Sequence, residues 1–203
     1  MPEIRDLSFS YGDHAVFSGL NLSLPDGSRT ALLAPSGYGK TTLLRLLCGS
    51  LAPQGGSISG LPDQGIGMVF QEDRLLPGCT VLENLQIPSP ERTQAELTAL
   101  LAELGLSGWE NARPDKLSGG MSRRVAIARA LAFSSPLVIM DEPFKGLDEA
   151  TLDQVLDCVD RRLENRTFLL VTHSPREAER LGCRIVRLDA PEGRSEPSGN
   201  SAG

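Results

Sequence analysis

Two groups of residues in this 203-residue chain have the types and spacing to do chemistry: the run Gly37-Tyr38-Gly39-Lys40-Thr41-Thr42 and, far downstream, the acidic pair Asp141-Glu142. The chemistry they suit is phosphate handling. Glycines let successive backbone N–H groups close around anionic oxygens, Lys40 can reach the β and γ phosphates, and the Thr41 hydroxyl can serve magnesium. A helix starting near Lys40 adds the positive end of its dipole beneath those oxygens. The pattern G-x-x-x-x-G-K-[ST] asks for glycine at position 34, where this chain has Ala34. At negative φ that exchange costs little, and at positive φ roughly 1 kcal/mol. Asp141 and Glu142 follow the apolar run Leu137-Val138-Ile139-Met140, and the carboxyl ends of strands are where open α/β sheets bind ligands. An aspartate there can hold Mg²⁺, and the adjacent glutamate can polarise the water that attacks a γ phosphate. Between the two groups lies a second glycine pair, Leu117-Ser118-Gly119-Gly120-Met121, ahead of a run rich in alanine and arginine.

Positioning these residues calls for strands alternating with helices. Apolar alternation in Ile4 to Phe9, Leu20 to Leu24 and Thr30 to Leu33, broken by Gly12-Asp13 and Pro25-Asp26-Gly27, predicts short strands of a small N-terminal antiparallel sheet feeding the first core strand. Leucines at helical spacing over Lys40 to Cys48, stopped by Gly49, place the glycine loop between a strand and a helix. Gly67 to Phe70 reads as a strand ending at Gln71, after which the pattern turns helical, with Thr93 to Leu104 and Met121 to Phe133 the clearest stretches. Buried-strand runs return at Leu137 to Asp141, Thr167 to His173 and Cys183 to Leu188, with a helix over Glu149 to Leu163 between the first two. The expected fold is an α/β P-loop nucleoside-triphosphatase with a three-layer core and parallel sheet. Residues 1–189 form one domain, with a core over about 1–72 and 136–189 and an inserted helical subdomain over about 73–135; the tail, 190–203, lacks apolar periodicity and is expected to be disordered.

Composition excludes other classes. A net charge of −6 argues against a nucleic-acid binder held by phosphate contacts. The longest apolar runs are strand-sized, far short of the roughly 20 residues that cross a bilayer, and the first residues carry no basic-then-apolar leader, which predicts a cytoplasmic location. Cys48, Cys79, Cys158 and Cys183 are scattered without metal-site spacing and read as reduced, buried structural thiols.

Motif by motif, about residues 3 to 188 resemble the nucleotide-binding subunits of ABC transporters. The run Gly37 to Thr42 resembles the Walker A motif apart from Ala34; Gln71 falls where the family has its Q-loop glutamine; Leu117 to Met121 resembles the LSGGQ signature, with Met121 for glutamine. Leu137 to Glu142 resembles Walker B, Gly146-Leu147-Asp148 the D-loop, and His173 the switch histidine. Tyr11 stands where the family stacks an aromatic on adenine. The resemblance implies a Mg²⁺-dependent ATPase in which Tyr11, Ser36, Gly37, Gly39, Lys40, Thr41, Thr42, Ser118, Gly119, Gly120 and Asp148 contact ATP. It implies that Thr41, Gln71 and Asp141 serve the metal, and that Glu142, His173, Lys40 and Gln71 carry catalysis. It further implies a head-to-tail homodimer, separate transmembrane permease subunits and an extracytoplasmic solute-binding protein. The segment Gln71 to Pro77, with Thr80 to Leu85 after it, resembles the importers of nitrate, sulfonate and taurine. Lys145 matches no family role and reads as a solvated surface lysine. Two competing readings are a soluble ABC ATPase, such as one for iron–sulfur assembly on a soluble scaffold, and a nucleotide-binding regulator that has lost hydrolysis.

Overall fold

The structure, a computed structural model, describes residues 1–33 and 37–188. The sequence expectations for Ala34, Ser36 and the tail from Ala190 fall outside the described residues.

Strands β1 (Glu3–Tyr11) and β2 (His14–Ser23) form a hairpin around Gly12-Asp13, and β3 (Arg29–Leu33) follows them. Helix α1 (Lys40–Leu47) leads to β4 (Gly55–Ser59) and β5 (Gly67–Val69). The helices α2 (Val81–Gln86), α3 (Gln94–Glu103) and α4 (Gly119–Ala132) then precede β6 (Leu137–Asp141). The chain continues through α5 (Glu149–Leu163), β7 (Thr167–Thr172), α6 (Pro175–Arg180) and β8 (Arg184–Arg187). The strands sort into an antiparallel sheet ordered β2-β1-β4 and a parallel sheet ordered β5-β6-β7-β3-β8.

The antiparallel sheet is therefore not wholly N-terminal, since its third strand, β4, follows α1, while Arg29–Leu33 belongs to the parallel sheet. Gly-Gly-Ser-Ile-Ser, the sequence of β4, has too little apolar alternation to announce a strand. Helix α6 is also absent from the expectations, and α2 falls inside the stretch read as helical without being singled out; each is only six residues. Both carried local signals: Thr80 and Glu83 form a capping box on α2, and Ser174-Pro175 caps and opens α6. The long helices fall where spacing put them. Thr93 caps α3 in a second box and Asp148 caps α5 by accepting from Thr151 N–H at 3.0 Å.

Strands β6 and β7 are buried at every position, as parallel strands covered on both faces must be. Their alternate residues feed two apolar clusters. Val138, Met140, Phe168 and Leu170 pack with α2, α3, α4 and α5, while Leu137, Ile139, Leu169 and Val171 pack with α1 and the antiparallel sheet. That gives the three layers. The helical stretch between β5 and β6 shares its cluster with the sheet through Val125 to Ala132 of α4. Arg166 fixes the end of α4 by donating to the carbonyls of Leu131, Phe133 and Ser135. The four cysteines are free; Cys158 is buried, whereas Cys48, at the surface beyond α1, is exposed and departs from the buried reading.

Close approach of β5 to α4 leaves no room at Gly67, where an added Cβ would sit 2.6 Å from the Ala130 carbonyl oxygen. Gly67→Ala is expected to cost about 1–3 kcal/mol of stability, whereas Gly119→Ala, with nothing within 4 Å, should leave Tm unchanged or slightly higher. Thermal unfolding of the two variants checks the pair, and an unchanged Tm for Gly67→Ala contradicts this packing.

Candidate nucleotide site

Parallel register delivers the site. Leu33, at the end of β3, pairs with Thr172 of β7; Val171 pairs with Asp141 of β6; and Met140 pairs with Val69 of β5. Four strands thus end at one edge, and the residues just beyond them, Gly37, Gln71, Glu142 and His173, converge on it. A cavity of about 590 Å³ lies there, lined by Tyr11, His14, Val16, Gly37, Gly39, Lys40, Thr41, Thr42, Gln71, Asp141, Glu142, Lys145 and His173. Its volume is in the range of small-molecule sites.

Gly39 is required twice. Its φ is +79°, and a Cβ there would meet Val16 Cγ1 at 2.6 Å and Phe17 Cζ at 2.8 Å. Helix α1 starts directly after it, with no side-chain cap and no acidic residue in its first turn. A helix N-terminus of this kind suits an anion. Tyr11 ends β1 half-exposed at the cavity, its ring edge-on to Phe9 at 5.0 Å between centroids.

Glu142 holds the centre. One carboxylate oxygen lies 3.6 Å from Lys40 Nζ and the other 2.8 Å from His173 Nδ1. An ionised carboxylate only accepts, so the second contact puts the imidazole proton on Nδ1. The residue's φ is +46°, a left-handed conformation costly for a non-glycine and concentrated at functional sites. It is held there by its N–H, which donates to Val171 O at 2.8 Å, and by the buried Pro143 and Phe144 that follow. Asp141 is 3% exposed, and burial, then the negative Glu142 beside it, pushes its carboxyl up to about 6 against the partial relief of Lys40 and Arg123.

Helix α4 grips the Gln71 loop. Arg123, 9% exposed, donates to the carbonyls of Phe70 and Gln71 and pairs with Asp73, while Arg129 donates to the carbonyls of Asp73 and Arg74. At the other end of that helix, Ser118 caps by accepting from Met121 N–H at 3.2 Å, and Met121 packs on the apolar cluster, which accounts for an apolar residue there. Neither Ser118, Gly119 nor Gly120 lines the cavity. Gly119 and Gly120 have no positive φ, and a Cβ on either would clash with nothing, the nearest atom being Leu147 Cδ2, 3.6 Å from Gly120. Asp148 likewise stands outside the cavity lining, bonded to Thr151. The structure thus brings together Tyr11, Gly37, Gly39, Lys40, Thr41, Thr42, Gln71, Asp141, Glu142 and His173, and leaves the second glycine pair and Asp148 elsewhere.

His14, Val16 and Lys145 were not legible as site residues. His14 and Val16 arrive through the hairpin register that pairs Tyr11 with His14. Lys145 is exposed, as expected of a surface lysine, and it also lines the cavity.

Fold and site together define a P-loop nucleoside-triphosphatase. The ABC transporter family profile matches residues 17–145. Aliphatic sulfonates import ATP-binding protein SsuB 3 of Rhodococcus jostii is 44% identical over 184 residues, which span 89% of this chain and 68% of that protein. Thiamine import ATP-binding protein ThiQ of Brucella abortus is 38% identical over 203 residues, spanning 92% of this chain and 83% of that protein. Among solved structures, the dimeric structure of the ABC transporter cassette MJ0796 superposes with a TM-score of 0.82 at 29% identity, covering 93% of this chain and 94% of that one. The same cassette in a post-hydrolysis state bound to ADP and Pi gives 0.81 at 28% identity, with the same coverage. The chain belongs to the ABC transporter family, as one of its ATP-binding and ATP-hydrolysing subunits. Among the described residues, no helix is long and apolar enough to cross a membrane.

Ionisation of Asp141 opposes the fold above about pH 6. Because its folded value is raised above the ordinary 3.8, the native state binds more protons than the unfolded one between the two, and stability falls as pH rises through that window. Without nucleotide or magnesium, Asp141→Asn should raise Tm at pH 8 by a few degrees, the counterpart of about 2 kcal/mol. The gain should shrink towards pH 5. A variant less stable than the parent at pH 8 contradicts this.

Proposed function

We propose that the chain binds Mg-ATP in the cavity at the end of β3 and hydrolyses it to power solute import through separate permease subunits. The observation that carries this reading is the convergence of Gly37, Gly39, Lys40, Gln71, Asp141, Glu142 and His173 on one cavity. Tyr11 stacks on the adenine, and Lys40, Thr42, Gly37 and the α1 amides take the phosphates, a role we also give Ser36. Glu142 accepts a proton as a water oxygen attacks the γ phosphorus; the bond to the bridging β–γ oxygen breaks, and ADP and phosphate form. His173, 2.8 Å from Glu142, holds that carboxylate in place. Gln71 orients the water.

Thr41, Gln71 and Asp141 fit a magnesium ion: all three line the cavity and offer hard oxygen donors. A magnesium ion held there would take its other ligands from water and phosphate oxygens. When bound, Mg²⁺ neutralises phosphate charge, and it would remove the penalty on ionised Asp141.

The open N-terminus of α4, with Ser118, Gly119 and Gly120, then contacts the γ phosphate held by a second copy, and Asp148 lies at the same junction. The dimeric structure of a relative of the same fold supports a pair of copies, which we read as head-to-tail. We assign residues of about 73–135 to a subdomain that carries this surface, and import, a solute-binding protein outside the cell and a place on the inner membrane face from the sulfonate and thiamine import relatives. Those relatives disfavour the soluble assembly ATPase.

Replacing Glu142 by glutamine should keep ATP binding while hydrolysis drops by about 10²–10⁴-fold, and the ATP-bound dimer should accumulate on sizing chromatography. Hydrolysis by Glu142→Gln at the parent rate would remove the role given to this residue.

A further inference from the structure

Lys145 is the cavity-lining cation that the reading above leaves unused. It occupies the turn after Glu142: its N–H donates to the Glu142 carbonyl at 3.3 Å, and the Leu147 N–H donates to the Phe144 carbonyl at 3.2 Å. Gly146, at φ +83° with no neighbour an added Cβ would touch, makes the turn after it, as position i+2 of a type II turn requires. Buried Phe144 on one side and Leu147 on the other anchor this turn on the apolar cluster. The backbone of Lys145 is thus fixed while its side chain stays exposed and borders the cavity.

The charges around it are unevenly committed. Glu142 takes Lys40 on one oxygen and His173 on the other, and Asp141 is nearly fully buried. His14 is the other titratable group in the lining besides Tyr11. Lys40, the cation expected to serve the phosphates, therefore shares its charge with a carboxylate already. Lys145 makes no ion pair among the described residues, and it leaves the same turn as the residue that faces the phosphate under attack. A cation so placed, beside a ligand bearing several negative charges, gains most where that charge is densest.

We infer that Lys145 is a second cationic contact to the terminal phosphate of the nucleotide held by its own subunit. The inference rests on the nucleotide reading of the cavity. It makes Lys145 a residue that distinguishes triphosphate from diphosphate, weakening its hold once the terminal phosphate has left.

The test is equilibrium binding of two probes, the β,γ-imido analogue of ATP and ADP, both with magnesium, to the full chain and to Lys145→Ser, Lys145→Arg and Lys40→Ala. Lys145→Ser should weaken the triphosphate analogue about five- to tenfold, as loss of one charge-assisted contact at a partly screened site does. ADP should change less than about twofold, and Lys145→Arg should keep most of the parent affinity. Equal losses for both probes, or none, would overturn the inference. So would a loss appearing only at concentrations where the chain dimerises, which would put Lys145 on the partner's nucleotide. Lys40→Ala binding both probes like the parent would instead fault the nucleotide reading itself.

Discussion

Everything in this molecule that concerns phosphate depends on the parallel pairing of β3, β5, β6 and β7. Parallel strands end on the same side, so residues scattered from Gly37 to His173 meet at one edge without any long-range loop having to bring them there. The register is specified by burial: β6 and β7 send alternate side chains into two separate apolar clusters, and a slip of one residue would exchange the clusters and carry Asp141 and Thr172 away from Leu33. The same edge concentrates charge. Asp141 and Glu142 are adjacent and largely buried, an arrangement that raises the energy of the empty site and is relieved by cations.

Two glycine clusters in the chain have opposite physical reasons. Gly39 is dictated from within, by its φ and by Val16 and Phe17 pressing on it. Gly119 and Gly120 are not: helical φ and open space would admit alanine, which favours a helix by about 1 kcal/mol per position. A costly residue that the fold does not demand points to something outside the chain that must come close. Helix α4 carries that open end and, through Arg123 and Arg129, also holds the loop of Gln71.

The site was largely legible in the sequence because its residues sit on strongly patterned elements. The apolar runs ending at Leu33 and Asp141 and the leucine spacing of α1 fixed strand–loop–helix order, and α5 begins and ends where its spacing and Asp148 cap put it. What escaped depends on tertiary placement. Strand β4 gains its identity only by pairing with β1. His14 and Val16 reach the cavity through hairpin register, and Lys145 through a turn whose direction Gly146 sets. The left-handed φ of Glu142 has no sequence signal, since glutamate is not a residue that prefers it. Met121, a departure from the family pattern, is explained by its seat on the apolar cluster.

The central claim is that the glycine loop of one copy and the second glycine pair of another make one active site. It is tested most directly by mixing two inactive proteins. Lys40→Ala removes the phosphate cation, and Gly120→Asp sets a carboxylate against the γ phosphate at the facing surface; each homodimer has two broken sites. A mixed dimer has one doubly broken site and one intact site, so the account predicts that mixing restores ATP hydrolysis, up to about a quarter of the parent rate for random exchange of symmetric pairs. Gly120→Asp hydrolysing ATP normally on its own would contradict the account, because it would leave the second glycine pair outside the active site.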